Sequence, residues 1–323
     1  MTAKESQHPL PLRTDVGAIL AFDVGGTDIK SALVLPSGEL IGLRRTQTPE
    51  SNASPELVVM EVLQVLRREY QHDHASIEPL AIGLSIPGIV DEEAGIGIFS
   101  ANLGWNDAPV LELARAAFGL PVALGHDVRA AALAESQYGA ALGYKDVAFV
   151  VIGTGLSAAF VLDGQLYRGH GLVGEVGHIQ IDPGGEQCSC GAWGCLETIA
   201  SAAAIARRYE RHGGASLEGG GARVVVERMS AGDPLAEAIW TEATEGLAAG
   251  LAQIVSLLSP ELIVLGGGLA GAGKVLIDPV ARALDRDLTF QRRPFIVQAE
   301  LGGEAGLVGA AIGARELLAK DGE

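Results

Sequence analysis

Apolar runs that stop at glycine turns organise this chain. Residues 18–24 read Ala-Ile-Leu-Ala-Phe-Asp-Val, a run of strand length that ends at Gly25, Gly26 and Thr27; a second apolar run continues to Leu35, and Pro36, Ser37 and Gly38 turn the chain into a third strand. Short apolar runs bounded by such turns predict strands rather than helices. The same plan returns at residues 146–169. Under a shift of 127 residues Phe22 meets Phe149, Val24 meets Val151, Gly26 meets Gly153 and Thr27 meets Thr154, and seven of the fourteen positions from 22 to 35 are identical. Chance similarity among apolar strands gives far fewer, so the pattern reads as a duplication in which each half opens with a hairpin turning on Gly-Thr. Helical segments follow at residues 55–70 and 110–118 in the first half and at 201–210 and 234–258 in the second. Strands followed by helices predict an α/β protein, and a last glycine turn and helix are expected over residues 303–318.

Composition narrows the class. A chain of 323 residues, 48 % of them hydrophobic, can bury a sizeable core and is long enough for two domains. Its 23 basic and 40 acidic residues leave a net charge of −17; this argues against a nucleic-acid partner, since phosphate backbones are held by clustered Lys and Arg. No apolar stretch approaches the roughly 18 residues of a membrane helix, and the start lacks the apolar core of a secretory leader. The expectation is a cytoplasmic protein without a membrane partner, with residues 1–17 as a disordered tail.

The three cysteines, Cys188, Cys190 and Cys195, all fall within eight positions, and His178 precedes them. One imidazole and three thiols make a closed tetrahedral set for structural zinc. The same segment carries Glu175 and Glu197, polar groups able to hold a substrate. Asp127 stands where a strand gives way to a strong helix former. It is either an N-cap or a carboxylate placed to take a proton from a substrate hydroxyl. Asn102, in a turn before Gly104, is either a reader of hydroxyls or ordinary turn chemistry. The Gly-Thr turns at Gly25, Gly26 and Thr27 and at Gly153, Thr154 and Gly155 allow close approach of backbone N–H groups to a ligand. A third cluster, Gly266, Gly267 and Gly268, follows an apolar strand. It satisfies a dinucleotide-type glycine spacing but lacks the acidic residue expected about 20 positions on; Lys274 nearly completes a P-loop, but Val275 stands where Ser or Thr is needed. A strand-to-helix turn near a nucleotide is the reading left.

Taken together these segments resemble the ROK family of sugar kinases and repressors, the kinase branch most closely. The matching pieces are Asp23 with Gly25, Gly26 and Thr27; Ser85 to Gly88; Asn102 to Trp105; Asp127; Gly153, Thr154 and Gly155; Glu175 with His178; the cysteines through Glu197; and Gly266 to Gly268. The resemblance implies a duplicated actin- and hexokinase-like (ribonuclease H-like) α/β fold of two lobes with a cleft between them. The smaller lobe is expected over residues 18–125 with about 305–323, and the larger over 126–304 with the zinc segment at 177–197. It implies ATP-dependent phosphorylation of a hexose, glucose first among the candidates, with Mg²⁺. Asp127 would be the general base. Gly88, Asn102, His126, Asp127, Glu175, His178 and Glu197 would line the sugar site. Asp23, Gly25, Gly26, Thr27, Gly153, Thr154 and Gly155 would serve the phosphates and magnesium, and Gly266, Gly267 and Gly268 the nucleoside. His178 would hold zinc through one ring nitrogen and a sugar hydroxyl through the other. A homodimer or higher homo-oligomer is the implied assembly.

Three positions depart from the family's usual pattern. His126 replaces an Asn that normally contacts the sugar, Asp28 replaces a Lys or Asn beside the phosphates, and Ser157 replaces a glycine. These leave N-acetylmannosamine, N-acetylglucosamine, mannose, fructose or allose as alternative substrates, polyphosphate as an alternative donor, and a catalytically weak sugar-binding protein as the competing function. With a first strand near residue 18, an N-terminal DNA-binding segment of the repressor kind is not expected.

Overall fold

The computed structural model describes residues 17–49 and 54–321; apart from Gly17, the tail expected over residues 1–17 lies outside them. The described chain forms two compact units.

The first unit carries β1 (Ile19–Val24), β2 (Asp28–Val34), β3 (Leu40–Gln47), α1 (Pro55–Asp73), β4 (Ala81–Ile86), β5 (Ile89–Asp91), β6 (Ile96–Ser100), β7 (Trp105–Ala108), α2 (Val110–Phe118), β8 (Val122–His126) and α3 (Asp127–Tyr138). Its main sheet has the order β3-β2-β1-β4-β8, and β5-β6-β7 form a small second sheet. Alternate residues of β1 face opposite sides. Leu20, Phe22 and Val24 join a core with Val59, Leu63 and Phe118 of α1 and α2. Ile19 and Ala21 join Leu307, Ala310 and Ala314 from a helix that arrives late in the chain, α9 (Ala305–Asp321). The second unit holds β9 (Val147–Ile152), β10 (Leu156–Leu162), β11 (Gln165–Tyr167), the single turn α4 (Glu197–Ala200), α5 (Ala202–Arg211), α6 (Gly221–Ser230), α7 (Pro234–Leu258), β12 (Leu262–Gly266), α8 (Lys274–Asp287) and β13 (Phe295–Gln298). Its sheet order is β11-β10-β9-β12-β13.

The two sheets share one topology. In each, the first three strands run antiparallel, while the fourth and fifth run parallel to the first. The duplication read from residues 22–35 and 149–162 is thus a duplication of whole five-stranded sheets. Equivalent rows differ in content. Asp23 lies between Lys30 of β2 and Ser85 of β4, whereas Val150, its counterpart under the 127-residue shift, lies between Ala158 of β10 and Leu265 of β12.

The structure divides the chain at Tyr138 and Gly139, one helix later than the boundary expected before His126. Small residues explain why α3 stays with the first sheet. A Cβ on Gly309 of α9 would lie 1.9 Å from the backbone oxygen of Ala130, so the two helices touch backbone to backbone. Gly309→Ala must therefore push α9 off α3. The overpacking, at about 1–3 kcal/mol, exceeds the roughly 1 kcal/mol gained in helix propensity. A fall in melting temperature of several degrees is the expected result, and an unchanged melt refutes the close contact.

Candidate active site

Ligands of open parallel sheets gather at the carboxyl ends of the strands, and the first sheet places its singular residues there. Asp23, Ser85 and Gly125 are register partners across β1, β4 and β8; His126 ends β8 and Asp127 follows it. The Asp23 carboxylate accepts from Ser85 Oγ at 2.9 Å and from Lys30 Nζ at 3.1 Å. Beside it the turn of Gly25, Gly26 and Thr27 is closed by Gly25 N–H donating to Asp28 O at 2.9 Å and by Thr48 Oγ1 donating to Gly25 O at 2.7 Å. A Cβ on Gly26 would stand 2.8 Å from Cβ of Asn102, so the Asn102 turn rests on this glycine. Gly88 (φ +102°) lies against the carbonyl of Phe99. Asp28, the unusual acid, faces Arg45 at 4.0 Å.

Asp127 opens α3, and its Oδ1 accepts from Val128 N–H at 2.7 Å. The cap position belongs to His126, whose Nδ1 accepts from Arg129 N–H at 3.4 Å. The His126 side chain is 6 % exposed, and its Nε2 lies 3.3 Å from Asp127 Oδ1. Burial, followed by the neighbouring Arg129 charge, depresses His126 to a pKa of about 3, so the ring is neutral at physiological pH. Behind it Glu92 Oε1 accepts from His126 N–H at 3.1 Å and from Arg129 Nε at 2.7 Å, and Arg129 Nη2 donates to Val90 O at 3.1 Å.

The second unit collects a different set. Gly153 N–H donates to Gly155 O at 2.9 Å, closing the second Gly-Thr turn. Glu197 braces that turn: its Oε2 accepts from Leu156 N–H at 2.9 Å, and a Cβ on Gly155 would lie 2.6 Å from the same oxygen. Gly267 (φ +81°) sits on the backbone of Ile152, where a Cβ would approach the carbonyl oxygen to 2.5 Å. The turns at Gly153 and at Gly266 to Gly268 are therefore neighbours at the ends of β9 and β12.

His178, Cys188, Cys190 and Cys195 bring one donor atom each to within 4.8 Å of one another. Cys188 Sγ is 3.5 Å from His178 Nδ1, and Cys190 Sγ is 3.7 Å from Cys195 Sγ. A tetrahedron with metal–sulfur bonds of about 2.3 Å and a metal–nitrogen bond of about 2.05 Å has edges of about 3.8 Å and 3.6 Å, so the donor set fits zinc. The thiols are unbridged. Burial, then the crowding of Cys190 and Cys188, pushes the Cys195 thiol up to about 12; a dication at the centre would reverse that preference. His178 turns Nε2 outward, 3.9 Å from Glu175 Oε2. Asp127 and Asn102 belong to the first unit, whereas Glu175, His178 and Glu197 belong to the second. Reading the sequence missed Lys30, Glu92 and Arg129.

Two sheets of one topology, each with a Gly-Thr turn at the carboxyl end of its first strand, are the actin- and hexokinase-like fold, and the relatives that share it make the class a sugar kinase. Residues 19–316 match the ROK family, and the chain belongs to that family. Among curated proteins it is 32 % identical over 319 residues to the glucokinase of Streptomyces coelicolor, covering 93 % of this chain and 98 % of that protein. A ROK glucokinase from Streptomyces griseus, solved in complex with glucose and AMPPNP, superposes with a TM-score of 0.79 at 30 % identity, covering 93 % of this chain and 100 % of that one. The ROK hexokinase of Thermus thermophilus gives a TM-score of 0.80 at 33 % identity over 94 % of this chain and 99 % of that one. Regulators also match: the N-acetylglucosamine repressor of Escherichia coli is 30 % identical over 252 residues, 75 % of this chain and 62 % of that protein. No described helix is long and apolar enough to cross a membrane.

Proposed function

We propose that this sugar kinase is an ATP-dependent glucokinase with a structural zinc ion, converting glucose to glucose 6-phosphate. The observation that carries the reading is the position of Asp127, at the carboxyl end of β8 and two residues beyond the row that holds Asp23. Phosphoryl transfer asks a protein for alignment, charge neutralisation and a base for the nucleophile. Asp127 takes the proton of the attacking sugar hydroxyl as that oxygen bonds to the γ-phosphorus and the bond to ADP breaks. Asn102, the Gly88 turn, Glu175, His178 and Glu197 hold the remaining hydroxyls, His178 donating from Nε2–H because Nδ1 faces the thiols. Backbone N–H groups of the two Gly-Thr turns orient the phosphates, and Gly266, Gly267 and Gly268 leave room for the nucleoside.

Magnesium, when bound, neutralises phosphate charge; Asp23 would hold it through water. Zinc, held by His178, Cys188, Cys190 and Cys195, supplies no chemistry, since all four of its positions are protein ligands. It fixes the segment that carries Glu175 and Glu197. The assembly we propose is a homodimer or larger homo-oligomer, working in the cytoplasm.

ADP release measured across glucose, mannose, fructose, allose, N-acetylglucosamine and N-acetylmannosamine tests the substrate, and polyphosphate in place of ATP tests the donor. Glucose with Mg-ATP is expected to give the highest kcat/KM. Another hexose in first place overturns the glucokinase assignment. Sugar binding without turnover on any of them moves the protein to the sugar-responsive regulators.

A further inference from the structure

We propose that Lys30 is a cation that contacts the nucleotide's phosphates at the first Gly-Thr turn; the inference rests on the proposed placing of phosphates at that turn. The ammonium stands at the right end of the sheet. Val24 and Ile29 are the pair that closes the turn, and Asp23 and Lys30 are the next pair, one step of about 3.4 Å along the strands. Ile29 turns into the core, so Asp28 and Lys30 share the other face of β2. A lysine carries its charge on a flexible four-carbon stem, which covers that step.

The charges beside the turn are arranged for an anion. β3 sets Arg45 opposite Lys30, and like charges facing each other across two strands are unfavourable in a bare sheet. Lys30 Nζ donates to Asp23 Oδ2 at 3.1 Å, and Arg45 faces Asp28 at 4.0 Å. Asp28 puts a carboxylate at the end of the turn itself, so a phosphate resting there needs a cation beside it. The fold does not require the Asp23–Lys30 pair, since the second sheet holds Val150 between Ala158 and Leu265 in the same row.

Asp23 is built to release the ammonium. Ser85 Oγ donates to its Oδ1 at 2.9 Å. The first turn of α9 lies against the same carboxylate: a Cβ on Gly306 would stand 2.6 Å from Asp23 Cγ. A helix N-terminus stabilises a negative charge, so Asp23 keeps two favourable neighbours when Lys30 turns away. Without nucleotide, Lys30 stays on Asp23. With nucleotide it donates to a phosphate oxygen and leaves Asp23 Oδ2 to the water shell of magnesium.

Calorimetric titration with AMPPNP reads this contact without turnover, with magnesium omitted rather than chelated so that zinc stays bound. Lys30→Met is expected to weaken AMPPNP binding about ten- to hundredfold, the scale of one charge-assisted hydrogen bond, and to leave adenosine binding unchanged. Lys30→Arg should recover most of the loss. A loss of the same size is expected between Asp23→Asn and the double variant Asp23→Asn, Lys30→Met. That comparison separates contact from neutralisation. A lysine that merely balances Asp23 has nothing to balance once residue 23 is an amide, and its removal from that background would then cost no affinity. Such a result overturns the inference, as does an equal loss of adenosine, which marks a damaged unit. Thermal melts accompany each variant, and Lys30→Gln repeats the series if the methionine variant melts early.

In turnover, the KM for ATP should rise by a similar factor with the KM for glucose unchanged; the reverse pattern overturns the inference. If the native protein binds AMPPNP but phosphorylates no hexose, the glucokinase reading fails and the binding series still decides the role of Lys30. If it binds no AMPPNP, both fail.

Discussion

Asp127→Asn is expected to lower kcat by about a thousandfold while glucose still binds. A positioned base contributes about 10²–10⁴-fold to proton transfer, and an amide of the same shape accepts a hydrogen bond but no proton. The change is chemically narrow. The amide oxygen can still accept from Val128 N–H, which meets Oδ1 at 2.7 Å, and helix capping by His126 is untouched. What α3 loses is a negative charge in its first turn, about 0.3–1 kcal/mol, too little to unfold the unit or empty the site. Steady-state rates beside calorimetric glucose binding and a thermal melt give the three readings. Near-native turnover would make Asp127 the first residue of a helix and nothing more. Lost sugar binding with lost turnover would make it a ligand of the sugar rather than its base.

Removal of zinc has the second large effect. Protein prepared without chelators is expected to carry one zinc per chain. Cys195→Ala, at a site with no exposed surface, should release it. Structural zinc is worth about 10–16 kcal/mol in peptides that fold only around the metal. Here the surrounding core, which includes Leu196 and Ala200, is expected to persist without it. A loss of about 5 kcal/mol, or a melting temperature on the order of 10 °C lower, is the expected scale. Glucose affinity should fall because His178 and Glu175 lose their anchor. Nucleotide affinity should fall as well, because Glu197, two residues after Cys195, holds the Leu156 N–H beside the second Gly-Thr turn at 2.9 Å. Native protein with metal content well below one per chain and full activity would remove the ion from this account.

Much of this was legible in sequence because the signals are local. The helix expected at 234–258 forms over those residues, opened by Pro234 and by Asp233 accepting from Leu235 and Ala236 N–H. The cysteine spacing announced its cluster for the same reason, since a four-ligand site needs few residues and a fixed order. The sheet of β5, β6 and β7 was missed, its strands being only three, five and four residues long. α8 was expected only as the far side of a strand-to-helix turn, and its range stayed unread because the glycine cluster precedes it and Pro279 lies inside it. Glu92 reads as one more turn acid in a run with Asp91 and Glu93, and Arg129 as a good helix former. Their pairing across 37 positions exists only once β5 and α3 meet. The expected cap moved by one residue for a related reason: a histidine caps through a ring nitrogen, which preferences for short oxygen side chains do not count.

The paired rows of the two sheets bear on how such a chain diverges. One copy sets Asp23 between Lys30 and Ser85; the other sets Val150 between Ala158 and Leu265. The apolar row is what a strand buried in a parallel sheet ordinarily holds, while the Asp23–Lys30 pair, with side chains 13 % and 23 % exposed, carries a partial desolvation cost. At this row, then, the first sheet carries the charged residues, and the second keeps apolar ones. Division of labour between copies lets a protein concentrate unfavourable residues in one half and draw robustness from the other.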